Sequence, residues 1–139
     1  MSRNVVSMSS ESNALEVAKM MLERKISSIL LTDKTNKIVG ILTERDLLRE
    51  ACGKNVSAQA VVASSIMSKP LMTIDKNSSI EDAAKLMVEN RVRHIAVEDV
   101  QNNKLIGVIA TSNLASFLRK HAPKYYEVAP TLFEGLYCE

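Results

Sequence analysis

Most of the chemistry in this 139-residue chain lies in one short run, Gly40-Ile41-Leu42-Thr43-Glu44-Arg45-Asp46. It gathers a hydroxyl, a guanidinium and a carboxylate where a strand should give way to a helix. A strand ending at Leu42 and a helix opening after Thr43 would leave backbone N–H groups without partners. Such groups favour anions, phosphate among them. The Thr43 hydroxyl adds a hydrogen bond, and Arg45 a charge able to reach a phosphate. Asp46 offers two acceptor oxygens that match the paired hydroxyls of a ribose. The same spacing has a structural reading. Thr43-x-x-Asp46 is also a helix N-cap with an acid in the first turn, where the helix dipole favours it. The two roles are compatible.

A second polar group, Arg91, Arg93 and His94, precedes an apolar run. It reads either as a solvated basic edge with a structural histidine or as a set of contacts to an anion. Elsewhere the chemistry thins out. Cys52 and Cys138 stand far apart without a CxxC, and His94 and His121 are the only histidines. Neither a zinc site nor a disulfide framework is expected. No nucleophile–base constellation, metal cluster or P-loop is present, so no enzyme is expected. A formal charge of +2 without a basic stripe argues against nucleic-acid binding. MSRNVVSMSSES lacks the apolar region of a signal peptide, and no apolar run approaches a membrane span, so a cytoplasmic protein with no membrane partner is expected.

The elements that position these groups come in duplicate. At an offset of 66, Val5–Met8 falls on Leu71–Ile74 and Ala18–Asp33 on Ala84–Asp99. After one extra loop residue the offset becomes 67, and Gly40–Leu47 falls on Gly107–Leu114. Ala14, Val17, Ala18, Met21 and Leu22 form an amphipathic helical stripe, repeated by Ile80, Ala83, Ala84, Met87 and Val88. Capping boxes are read at Asn13-x-x-Glu16 and Ser78-x-x-Glu81. Strands are expected at Ile29–Thr32 and Ile38–Leu42, then at Ile95–Glu98 and Leu105–Ile109, each pair joined as a hairpin. The continuous apolar run Ile38–Leu42 suggests a strand covered on both faces. Further helices follow near Glu44–Ala51 and Ser112–Lys120. Neither half buries enough surface alone, so the two should pack together. The aliphatic composition, with 46% hydrophobic residues but 4% aromatics and no Trp, predicts a core of Ile, Leu, Val, Ala and Met.

A β-α-β-β-α unit ending in G-h-h-T-x-x-D, paired in tandem behind an Ile-Met-Ser-Lys-Pro linker, resembles the CBS domain pair, or Bateman module. The resemblance covers residues 4–121. It implies an α/β (α+β) fold of two CBS units packed as a pseudo-twofold pair: repeat 1 over 1–52, a linker over 53–70 with a surface path, repeat 2 over 71–121 and a tail over 122–139. It also implies a regulatory module that binds AMP, ADP, ATP, S-adenosylmethionine or a related adenosyl ligand between the repeats. No cofactor is required; Mg is the ion that could accompany a nucleotide. A homodimer and a separate regulated protein are the implied partners.

Carried over residue by residue, the resemblance assigns Asp46 to the ribose and Thr43 to ribose or phosphate. Ile41 and Val6, Ser7 and Met8 would flank the base, with Arg45, Arg93 and His94 toward the phosphate. Ser27, Ser28, Thr73 and Asn113 would serve a second, weaker cleft. The second copy departs from the pattern, with Ala110 for the threonine and Asn113 for the aspartate. Loss of a charge-assisted hydrogen bond costs on the order of 1.5–3 kcal/mol, roughly tenfold or more in affinity. The two clefts should therefore be unequal. Beyond the repeats, Tyr125, Tyr126, Phe133 and Tyr137 cluster in the tail, which suggests docking on this chain, a dimer partner or another protein rather than disorder.

Overall fold

A computed structural model describes residues 5–121; Cys138 and the tail aromatics lie outside the described residues. Repeat 1 contains β1 (Ser7–Ser9), α1 (Ala14–Arg24), β2 (Ser28–Thr32), β3 (Ile38–Thr43) and α2 (Glu44–Leu47). The last continues as a π-helical turn over Leu48–Cys52. A 3-10 turn (Ala58–Ala60) and α3 (Ala63–Ile66) lead to repeat 2: β4 (Thr73–Asp75), α4 (Ile80–Asn90), β5 (His94–Asp99), β6 (Lys104–Ala110) and α5 (Thr111–His121). Each repeat has a three-stranded sheet, in the orders β1-β2-β3 and β4-β5-β6. The first pair in each is parallel and the second antiparallel.

The duplication extends to irregularities. Bulges interrupt the register at Leu31/Thr32 and at Val97/Glu98. α1 ends on Lys25 and α4 on Arg91, both left-handed, with φ of 54° and 53°. Asn36 and Asn103 turn the two hairpins with positive φ, a conformation that asparagine tolerates better than most side chains.

The helical stripes are buried along one edge only. Val17 and Met21 pack with Ile29, Leu31 and Leu42 in one core, and Ala83 and Met87 with Ile95 in the other. Leu22 and Val88, the far edge of each stripe, are 79% and 77% exposed. The opposite faces of β2 and β5 carry Leu30 and Ala96, which are buried but belong to neither cluster; Leu30 lines a cavity together with Val108 and Asn113 of repeat 2.

Several sequence expectations shift. The Asn13/Glu16 capping box forms, but α4 is capped one residue later, by Ser79 with Asp82 rather than by Ser78 with Glu81. The helix after β3 keeps α geometry for only four residues before widening into the π turn. In β3 the centre, Gly40–Leu42, is buried while Ile38 and Val39 are partly open, because β3 is an edge strand covered only where a neighbouring segment crosses it. That neighbour is the connection expected on the surface. Ala63 is fully buried and Val61 nearly so, and Ile41 and Ser68 exchange backbone hydrogen bonds of 3.2 and 2.9 Å.

Candidate ligand-binding site

The strand-to-helix junction after β3 is tightly self-satisfied. Asp46 is buried. Its Oδ2 accepts from the Thr43 N–H at 2.9 Å and the Thr43 hydroxyl at 2.8 Å, while the Asp46 N–H donates back to Thr43 Oγ1 at 3.3 Å. Oδ1 accepts from Arg49 Nη2 at 3.0 Å. The Glu44 N–H donates to the Ser27 carbonyl at 3.1 Å. The capping role of Thr43 and Asp46 is thus realised. The amides expected to greet an anion are largely engaged, and a phosphate here would depend on side-chain cations instead.

Those cations come from both repeats. A cavity of about 400 Å³ opens between them. Repeat 1 lines it with Ile41, Thr43, Arg45, Asp46 and Arg49, and repeat 2 with Arg91, Arg93 and His94. Arg91 reaches the rim because α4 ends there in the left-handed conformation, and Arg93 and His94 lead into β5. His94 is partly buried, and its Nε2 lies 3.0 Å from Ser27 Oγ, a bond between repeats. Burial holds its pKa below the ordinary imidazole value, against the opposing pull of the Glu44 and Asp46 carboxylates; Arg93 adds to the lowering. Of the residues expected here, Ile41, Thr43, Arg45, Asp46, Arg93 and His94 are brought together.

Val6, Ser7 and Met8 are not among them. Val6 lines a second cavity of about 250 Å³ with Ser27, Ser28 and Asn113. Met8 packs on the first core, and exposed Ser7 lines neither cleft. The cause is strand order. With β2 between β1 and β3, the lead-in to β1 lies on the far side of the sheet from Thr43 and Asp46. The lead-in to β4 crosses β3 instead, so Ser68 joins the Asp46 cleft. Thr73 likewise lines neither cleft; its hydroxyl donates to Glu98 at 3.0 Å. Ser27 and His94 border both cavities.

In the second cleft Asn113 does half of what Asp46 does: its Oδ1 accepts from the Ala110 N–H at 2.8 Å. Without a hydroxyl at Ala110 the rest of the box is missing. The sequence reading missed Arg49 and Ser68 as cleft residues; Arg91, read as either a basic edge or an anion contact, lines the cleft. Arg49 was detectable, three residues after Asp46 on the same helical face; Ser68 depends on how the connection crosses β3. Among the described residues no cluster of three or more His, Cys, Asp or Glu could hold a metal. No helix among them is long and apolar enough to cross a membrane.

Two registered sheets, paired left-handed helix ends and a cleft between repeats are the geometry of a tandem CBS pair, and the CBS domain family model matches residues 1–53 and 62–120. The chain belongs to the CBS-domain family. An uncharacterised protein of Methanopyrus kandleri is 32% identical over 81% of this chain. An uncharacterised 17.7 kDa protein of Acidianus ambivalens is 30% identical over 74% of it. The chain spans 57% and 60% of the lengths of these two relatives. Among solved structures, a Burkholderia ambifaria protein with CBS domains, assigned to signal transduction, superposes with a TM-score of 0.79 at 28% identity, covering 86% of each chain.

Proposed function

We propose that this CBS pair is a non-catalytic sensor that binds an adenine nucleotide (AMP, ADP or ATP) in the Asp46 cleft and signals through a change in how the repeats sit. The observation that carries this is the convergence of Arg45, Arg49, Arg91 and Arg93 with His94 on one cavity, against only Glu44 and Asp46. That excess of fixed donors suits a phosphate chain, and a cavity of about 400 Å³ is within the usual range for small-molecule sites. Asp46 has one lone-pair direction free beyond its three partners, and a ribose hydroxyl would take it or displace Arg49. Only a ligand with different affinity for two arrangements of the repeats transmits a signal. The Asn113 cleft, with an amide in place of the carboxylate, is the weaker of the two.

Titration calorimetry with AMP, ADP, ATP and S-adenosylmethionine, with and without Mg²⁺, tests this reading. Saturable binding that Arg93→Ala weakens supports it. Absence of heat and of competition at millimolar nucleotide removes it. A second reading is favoured by the self-satisfied Thr43–Asp46–Arg49 cluster, which needs no ligand to explain it. There the pair is purely an interaction module, and self-association through the exposed apolar edges of α1 and α4 is its role. Dimers with no detectable ligand would favour it.

A further inference from the structure

In repeat 1 the segment that follows the π turn folds back over α1 and the β3 edge. The Ala14 N–H donates to the Val61 carbonyl at 2.8 Å and the Ser64 N–H to the Ser10 carbonyl at 2.9 Å. Ala63 is buried in the first core, with Ile66 and Met67 packed against it. Met67 comes so close to Gly40 that a Cβ there would stand 2.6 Å from its sulfur.

Repeat 2 has the receiving half of this arrangement with no occupant among the described residues. A cavity of about 290 Å³ is lined by Ile80, Ala83, Ile106, Ile109 and Leu114. At the repeat offsets these are the counterparts of Ala14, Val17, Val39, Leu42 and Leu47. Val108 stands opposite Ala96 as Ile41 stands opposite Leu30. Its N–H and C=O therefore point off the sheet edge in the way that lets Ile41 bond Ser68. Gly107 repeats Gly40, keeping the backbone bare where a covering segment must approach closely.

The occupant is written in the sequence. At the offset of 67 that sets Leu47 on Leu114, Val61–Met67 (VVASSIM) falls on residues 128–134 (VAPTLFE). Val128 repeats Val61, whose carbonyl takes the α1 amide, and Thr131 repeats Ser64, which donates to the loop. Phe133 stands where Ile66 packs. Two departures are visible: Pro130 lacks the N–H that Ala63 gives to Ser12, and Glu134 replaces Met67. We propose that residues 128–134 dock intramolecularly in this groove of repeat 2, as 61–67 docks on repeat 1.

The full chain carries two phenylalanines, Phe117 and Phe133, so selective Phe labelling reports the tail directly by NMR. Docking gives nuclear Overhauser contacts from the Phe133 ring to the Ile109 and Leu114 methyls, together with a protected Val108 amide. Phe133→Asp abolishes the contacts and speeds Val108 exchange by on the order of tenfold or more, leaving the Ile41 amide unchanged. Absence of Phe133–groove contacts in the wild type overturns the proposal. So does Val108 exchange that ignores the substitution. In a mixed labelled and unlabelled sample, contacts that pass only between molecules overturn it in favour of a second copy's tail.

Discussion

At the scale of single residues, the carboxylate of Asp46 has two duties that substitutions separate. Asp46→Ala removes the cap and the Arg49 partner together and should lower the unfolding free energy by roughly 1–2 kcal/mol, read from urea midpoints. Asp46→Asn keeps an acceptor for the Thr43 amide, as Asn113 does for Ala110. It should be less damaging to stability yet weaken AMP binding by about tenfold or more, which calorimetry would show. His94 sets a pH dependence. Its folded pKa lies below the ordinary value of 6.5, mainly through burial, so the unfolded chain binds the proton more readily and stability falls as pH drops below 6.5. An anion in the cleft reverses the preference. AMP binding should take up protons near pH 6.5, and His94→Gln should remove that uptake when calorimetry is repeated in buffers of different ionisation enthalpy. Asp99 shifts in the same direction as His94 but from a different cause. Lys76 and Asn102 hold its pKa down to about 2 from 3.8. The stability this provides is present above pH 3.8 and lost as pH falls toward 2. The Thr43/Asp46 pair was legible because its spacing is local. That its amides are mostly spent was not, since the Ser27 carbonyl that takes the Glu44 amide arrives from another strand.

Among the elements, the helix ends show how shape serves the cleft. Lys25 and Arg91 hold the left-handed conformation that costs a side-chain-bearing residue about 1–2 kcal/mol and glycine little. Arg91→Gly should therefore raise thermal stability while weakening nucleotide binding, a trade measurable on one variant by melting and calorimetry; Lys25→Gly should raise stability with little change at the Asp46 cleft. β3 gives a second test. Gly40→Ala drives a Cβ against Met67 and, at 3.0 Å, against the Ser68 carbonyl. The expected loss is about 1–3 kcal/mol, seen as a lower urea midpoint. Strands, hairpins and the α1 cap followed from periodicity and turn residues. The α4 cap did not, because Ser78-x-x-Glu81 and Ser79-x-x-Asp82 both satisfy the local rule and only chain entry from β4 selects the second. The connection over 53–70 misread as surface for a similar reason. Its serines are polar, but Val61 and Ala63 alternate inward, a pattern too short to register without knowing what lies beneath.

For the whole molecule, the duplicated register disclosed the architecture, while the pairing of clefts with lead-in segments required the strand order that the sequence does not state. The exposed edges at Leu22 and Val88 belong at this scale. They are repeat counterparts on α1 and α4, and if the chain self-associates through them, Leu22→Asp with Val88→Asp should leave only monomers in sedimentation velocity without altering the fold. Finally, the Ser27–His94 hydrogen bond is a party wall: both residues border both cavities. An occupant on one side that recruited the imidazole would withdraw it from Ser27 and so reshape the neighbouring chamber. Thermodynamics then requires reciprocity, with each occupant altering the other's affinity by the same factor. An occupant of either chamber would therefore act on the other through one shared, movable partition.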